Sequence, residues 1–237
     1  MTIRPGAMNG FCWMDLKTRD TTGTARFFSG VLGWRFAVDE EDWRKAVKIS
    51  VDGYPIGGVS DLANPVYPPE TPAHIAYYLA VEDVDRRIEA ATANGARLVL
   101  PPFDAGDQGR VAVLIDPVGA SIALWQPYDF AGWEFPPGMA GTPHRMVLAC
   151  AEPARARRFY RGTLGVPPDH ADFVPASDPG GSAPRWELSV GVDDADGVVA
   201  RAHDHGRAPV VREDEAGRRV VWLSSPEGLT LRVHGPG

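Results

Sequence analysis

The sequence predicts an α+β chain built as a tandem repeat, each half a pair of strand–helix–three-strand modules. Three internal matches predict it. The segment from Asp20 to Trp34 returns as Glu152 to Val166, with five of fifteen positions identical and no gap. Arg26, Phe27, Gly30, Leu32 and Gly33 pair with Arg158, Phe159, Gly162, Leu164 and Gly165, at an offset of 132. Val81-Glu-Asp-Val-Asp85 returns as Val192-Asp-Asp-Ala-Asp196, and Gly95 as Gly206, at an offset of 111. Arg110 with Pro117-Val-Gly119 returns as Arg219 with Pro226-Glu-Gly228. A fixed-period match of this kind marks a duplicated structural unit. The change of offset means that the second half lacks 21 residues between its first and second helices.

The elements follow in order. Phe11–Thr18 reads as a strand of mixed burial. Asp20 fits a helix N-cap, its carboxylate accepting from an orphan N–H. That helix runs to about Val31, and Gly33 fits a left-handed stop. Lys45–Ser50 alternates as a half-exposed strand does, and Tyr54–Ser60 follows as another. Ala73–Val81 is a long apolar strand. Asp83 caps a helix with Val84, Ile88 and Ala91 on one face, ended by Gly95. Arg97–Leu100, Arg110–Ile115 and Ala120–Gln126 complete the half, with Asp116-Pro-Val-Gly119 as a turn. The domains are 1–127 and 143–237, the latter with a shortened first module. The Pro- and Gly-rich linker 128–142 carries Tyr128, Phe130, Trp133 and Phe135, which predict a packed strap and not a free tether.

Composition narrows the function. The chain has 237 residues, 44% hydrophobic and 23% charged, enough for two domains with cores. A net charge of −7 argues against nucleic acid. The basic run Arg155–Arg161 reads as a solvated helix face. Cys12 and Cys150 have no metal-knuckle spacing, so a reduced, cytoplasmic setting is expected. No apolar run is long enough to span a bilayer, and Met1–Gly10 lacks the form of a signal peptide. Glu40-Glu41-Asp42 reads as a turn charge cluster. No glycine-rich nucleotide loop or nucleophile elbow occurs, so no cofactor is expected.

Trp13-Met-Asp-Leu16, Asp20 through Trp34, Val81-Glu-Asp-Val-Asp85, Gly109-Arg110, Asp116-Pro-Val-Gly-Ala120 and Leu124-Trp125-Gln126-Pro127 together resemble the vicinal oxygen chelate superfamily. This is the glyoxalase/bleomycin-resistance/dioxygenase group, here in a tandem form of actinobacterial type. The resemblance implies paired βαβββ modules curled into a cupped, incomplete barrel in each half. It also implies a divalent metal held by His, Glu or Gln at three strand positions. Carried over by spacing, those positions hold Trp13, Ala76 and Ala123 in the first half, none of which can ligate. The second half holds Arg145, Glu187 and Arg232, which read as an ion-pair triad in a degenerate second site; part-exposed strand residues are the plainer alternative. No metal is expected.

Strand alternation puts Phe11, Trp13 and Asp15 on one face, with His74, Ala76 and Tyr78, and with Ser121, Ala123 and Trp125. An aromatic concave face with a few polar groups suits a planar or apolar small molecule. His74 and Asp15 are the weak catalytic candidates, an imidazole oriented by a carboxylate; a solvated strand-end histidine and a packed Tyr78 are the plainer readings. His203-Asp-His205 ends a helix, where imidazoles favour the free carbonyls. The expectation is a small-molecule binder without the usual metal site, sequestering a toxic compound as bleomycin-resistance proteins do. The alternatives are a metal-independent isomerase, cyclase or hydroxylase-like enzyme, and a metal-dependent glyoxalase or dioxygenase with other ligands. Tandem halves copy the pairing that single-domain relatives reach by dimerising; a homodimer of this chain is left open.

Overall fold

The computed structural model describes residues 6–40, 45–167, 170–176, 183–213, 217 and 219–235. Glu41 and Asp42 of the turn charge cluster lie outside them. The fold is α+β, with fourteen strands in two sheets and four helices among the described residues. The first half runs β1 (Phe11–Thr18), α1 (Thr21–Leu32), β2 (Arg35–Val38), β3 (Val47–Val51), β4 (Tyr54–Asp61), β5 (His74–Ala80), α2 (Val84–Ala93), β6 (Arg97–Asp104), β7 (Gly109–Ile115) and β8 (Ser121–Pro127). The second runs β9 (Pro143–Cys150), α3 (Pro153–Gly162), β10 (Ala171–Pro175), β11 (Arg185–Gly191), α4 (Ala195–Asp204), β12 (Val210–Glu213), β13 (Arg219–Ser224) and β14 (Thr230–His234). The sheets are ordered β2-β3-β4-β1-β5-β8-β7-β6 and β10-β9-β11-β14-β13-β12.

Local chemistry fixes the helix ends. The Asp20, Asp83 and Asp194 carboxylates accept from the backbone N–H groups of Gly23 (2.8 Å), Arg86 (3.0 Å) and Gly197 (2.8 Å). Glu152 makes no such bond before α3. Pro153 opens that helix instead, a position where its missing N–H costs nothing. Gly33 ends α1 in the left-handed region at φ 73°.

Two strands differ from the sequence reading. β2 is only four residues long, too short to show alternation. β6 continues past Leu100 through Pro101 and Pro102 to Asp104, with register shifts at Leu98/Leu100 and Leu100/Phe103. It is an edge strand, where proline need not donate to a neighbour. In the second half, a single described strand, β10, stands between α3 and β11, where the first half has three. No helix among the described residues is long and apolar enough to cross a membrane.

Packing groups the chain into two compact units, each drawn from both halves. One takes the chain through Trp13, with Ala76–Pro137 and Arg145–Leu188; the other takes Met14–Ile75, Gly138–His144 and the chain from Ser189. The first unit buries Leu79, Leu114, Ile122 and Leu124 completely or nearly so. Trp133 and Phe135 of the linker are also buried, and the Trp133 N–H donates to the Cys12 carbonyl at 2.8 Å. Tyr128 is exposed and donates instead to Asp104 at 3.0 Å.

In the second unit, Phe28 stacks on Trp34, whose indole N–H donates to the Gly141 carbonyl at 2.8 Å. Glu227, from the repeated turn, accepts from the Thr18 hydroxyl and from the Arg19 and Asp20 backbone N–H groups, each of the latter at 3.0 Å. These bonds, led by the Thr18 hydroxyl, hold the Glu227 carboxyl below its usual range. A carboxylate whose folded pKa is lowered contributes stability above its unfolded value, and loses it as pH falls through the folded value. Glu227→Gln should therefore cost about 1 kcal/mol at neutral pH. The deficit should shrink toward zero in urea melts run at progressively acid pH.

Candidate functional site

In the first unit, β5 and β8 pair in parallel with Tyr78 opposite Ala123 and Ala80 opposite Trp125. These four share a face. Leu79 and Leu124, one residue out of step, are wholly buried on the other side. Trp13 and Trp125 are 9% and 8% exposed. Phe130, from the strap, sets its ring edge-on against Trp13 with centroids 4.8 Å apart, and against Trp125 at 6.2 Å. The Trp125 indole N–H donates to the Phe130 carbonyl at 2.9 Å, and Tyr78 meets Trp125 edge-on. Beneath Trp125 lies Gly109, where any Cβ would overlap the indole. Ala76 is half-buried and Ser121 exposed. Phe11 takes another partner, an edge contact with Trp186 at 4.7 Å. Trp13, Tyr78, Ala123 and Trp125 therefore stand together, with Phe130, which composition marked as strap and not as site.

The second unit holds Asp15 and His74 in separate surroundings. Asp15 is 8% exposed and accepts from Lys17 Nζ at 2.8 Å and Ser60 Oγ at 2.5 Å. Lys17 Nζ also reaches the Tyr67 hydroxyl at 3.2 Å and lies 4.9 Å from that ring's centroid. His74 Nδ1 is 2.8 Å from the Pro72 carbonyl. Among the described residues, no hydrogen bond joins His74 to Asp15; the lysine two residues along the same strand face holds the carboxylate instead. Lys17, Ser60 and Tyr67 escaped the sequence reading, although the Asp15/Lys17 spacing is a legible strand pair.

Arg145, Glu187 and Arg232, the second-half residues carried over from the resemblance, each have a partner outside the three. Arg145 grips Asp172 of β10 with two nitrogens. Glu187, buried, accepts from Arg185 Nε at 2.9 Å. The Arg232 guanidinium lies 5.0 Å from the Trp222 ring centroid. A further group went unread: His234 Nδ1 lies 2.9 Å from Ser189 Oγ, and its ring centroid 4.5 Å from that of His144. The alternation Thr230, Arg232, His234 in β14 was the available signal. His205, at the end of α4, packs edge-on near Phe27.

A divalent ion does not fit the side chains of Trp13, Ala76 and Ala123, the three first-half residues carried over by spacing from the resemblance. An indole and two methyl groups offer no lone pair to a cation, and no group of three His, Cys, Asp or Glu side chains suited to a metal occurs among the described residues.

A family model described as a glyoxalase-like domain matches residues 13–125. The anthracycline biosynthesis protein DauV of Streptomyces sp. strain C5 is 28% identical over 97% of this chain and 93% of its own. CFP32 of Mycobacterium tuberculosis, provisionally named a glyoxylase, is 26% identical over 94% of each chain. The fold is shared with the Mn(II)-bound glyoxalase of Novosphingobium aromaticivorans, with a TM-score of 0.64 and 13% identity over 99% of this chain and 83% of that one. It is shared also with the 2,2',3-trihydroxybiphenyl 1,2-dioxygenase of Sphingomonas wittichii strain RW1, with a TM-score of 0.63 and 13% identity over 98% of this chain and 91% of that one.

Proposed function

Because residues 13–125 match a glyoxalase-like family model and the chain shares its fold with a glyoxalase, we propose that its first half binds a planar aromatic small molecule by ring packing, without a metal, and so sequesters it. One observation supports the reading: Trp13, Tyr78, Ala123 and Trp125 stand together, and Trp13, Ala76 and Ala123 are the residues that spacing places where the resemblance implies metal ligands. The substitutions exchange lone-pair donors for flat or small apolar surface. That surface suits a fused-ring ligand, which gains from desolvation and edge-to-face contact. Relatives named for anthracycline biosynthesis favour a polycyclic aromatic as the class.

Phe130 is then an internal stand-in for the ligand. Its ring rests against Trp13 where a guest ring would rest. Tryptophan quenching during titration with planar polycyclic aromatics tests the idea. Saturable quenching is expected, unchanged by a chelator. Phe130→Ala should tighten binding about tenfold by removing the competitor, and Trp13→Ala should weaken it about tenfold. Absence of saturable quenching in both the wild type and Phe130→Ala would overturn the proposal, as would one equivalent of tightly held metal per chain.

A second reading is a metal-independent enzyme, and the Asp15–Lys17–Ser60 group favours it. A carboxylate held by a lysine and a hydroxyl is placed for proton transfer or for orienting a substrate hydroxyl. Once a substrate is in hand, Asp15→Asn should then lower kcat at least a hundredfold with KM little changed, whereas a binder would show no turnover in either form.

A further inference from the structure

The duplicated helices can be compared inside one protein. In the second unit α1 packs on α4. Arg201 Nε of α4 donates to the Val31 carbonyl at 2.9 Å, and the His205 imidazole covers Gly30, where any Cβ would overlap it. In the first unit α3 faces α2 with the same pinning. Arg87 Nη1 donates to the carbonyl of Thr163, the repeat counterpart of Val31, at 3.1 Å. The filling, however, is missing. Asn94 stands where His205 stands in the other pair, and its amide folds back onto the Ala90 carbonyl at 2.8 Å. Gly162, the counterpart of Gly30, has nothing within 4 Å of where a Cβ would point.

The result is a cavity of about 550 Å³ between α2 and α3, lined by Arg86, Arg87, Asn94, Arg158 and Gly162, with Glu82 and Asp83 at one end. Arg86 and Arg158 are exposed, and neither guanidinium has an ion-pair partner among the described residues. Asp83 is occupied as the cap of α2. Two unpaired guanidinium groups thus line one open cavity on a chain with a net charge of −7. Guanidinium forks match the oxygen geometry of phosphate and carboxylate groups.

We propose that the α2/α3 cavity is a binding site for a small phosphorylated or polycarboxylate anion. It lies apart from the aromatic wall and does not depend on the function proposed for it. Arg86 and Arg158 supply the charge, Arg87 is held in place by Thr163, and the open space over Gly162 admits the ligand. This gives the Arg155–Arg161 run a role at Arg158 beyond that of a solvated face.

Inorganic pyrophosphate, titrated calorimetrically into the full chain at low salt, is the probe. One saturable site per chain is expected. Arg158→Ala should weaken it about tenfold. Asn94→His, which places in this cavity the side chain that closes the other helix pair, should weaken it at least as much. Arg155→Ala, which removes an α3 arginine already paired with Glu152 at 3.1 Å, should leave it unchanged. No saturation in the wild type, or an equal loss in Arg155→Ala and Arg158→Ala, overturns the proposal, the latter because it reduces the effect to bulk charge. Thermal melts check each variant's fold; Arg158, being exposed, tests the site even if Asn94→His unfolds.

Discussion

Gly132→Ala should lower the unfolding free energy by about 3 kcal/mol and redden the tryptophan emission of the native state. Gly132 sits at φ +101° in the strap, where L residues are strained by about 1–2 kcal/mol. Space is the second obstacle. A Cβ there would overlap the Cys12 carbonyl oxygen and approach the Cys12 Cβ to 2.9 Å. That carbonyl accepts from the Trp133 N–H at 2.8 Å, so relief requires moving the strap off β1 and breaking the bond, for about a further 1–2 kcal/mol. Phe130 and Trp133 flank the glycine and would move with it, exposing Trp13 and Trp133 to water. Gly138→Ala is the control. It shares a positive φ, +80°, but nothing lies within 4 Å of its Cβ position, so only the backbone strain should appear. Urea midpoints that fall equally in both variants would show that the strap's seat on β1 contributes nothing.

The frame of the molecule was legible because its signals are local. Asp20, Asp83 and Asp194 cap the helices their sequence positions announce, and the repeat set the module order before any contact was known. Face assignment was legible for the same reason: alternation along β5 and β8 needs only the backbone. Partners within a face were not. Nothing in the linker says which ring Phe130 will meet, because that depends on where Gly132 seats the strap. Arg145 bonds Asp172 of β10, a strand that lies where the offset between the halves changes, so the repeat could not point to it. The charge on Asp15 is another case. His74 shares its face by alternation, but Lys17 and Ser60 are nearer, and a carboxylate goes to the closest donors. Short or proline-broken strands such as β2 and β6 carry too few periods to register.

Tyr160→Phe should cost about 3 kcal/mol at neutral pH, and less under acid conditions. The Tyr160 hydroxyl is wholly buried, donates to Asp116 Oδ2 at 2.9 Å and accepts from the Trp186 indole N–H at 2.9 Å. Removing one oxygen orphans both neighbours. A buried indole N–H without a partner costs about 1–3 kcal/mol, and a lost bond to a charged group about 1.5–3 kcal/mol. Asp116 keeps the bonds from the Val118 and Ala120 N–H groups at 2.9 and 2.8 Å, so the turn itself should survive. The pH dependence follows from burial, which raises the Asp116 carboxyl above its usual range against the opposing pull of these donors and Tyr160. A carboxyl with a raised folded pKa binds its proton more tightly in the native state. Its contribution to stability is therefore full below the unfolded value and is lost as pH rises through the folded one. Without the tyrosine donor the anion is less well held, so the folded pKa should rise further and the variant should lose more than the wild type on passing from acid to neutral pH. Urea denaturation of both proteins across that range gives the difference directly. A deficit that stayed constant with pH would mean that Asp116 does not change its charge with the hydroxyl's help, and that the cost of Tyr160→Phe lies in the orphaned indole alone.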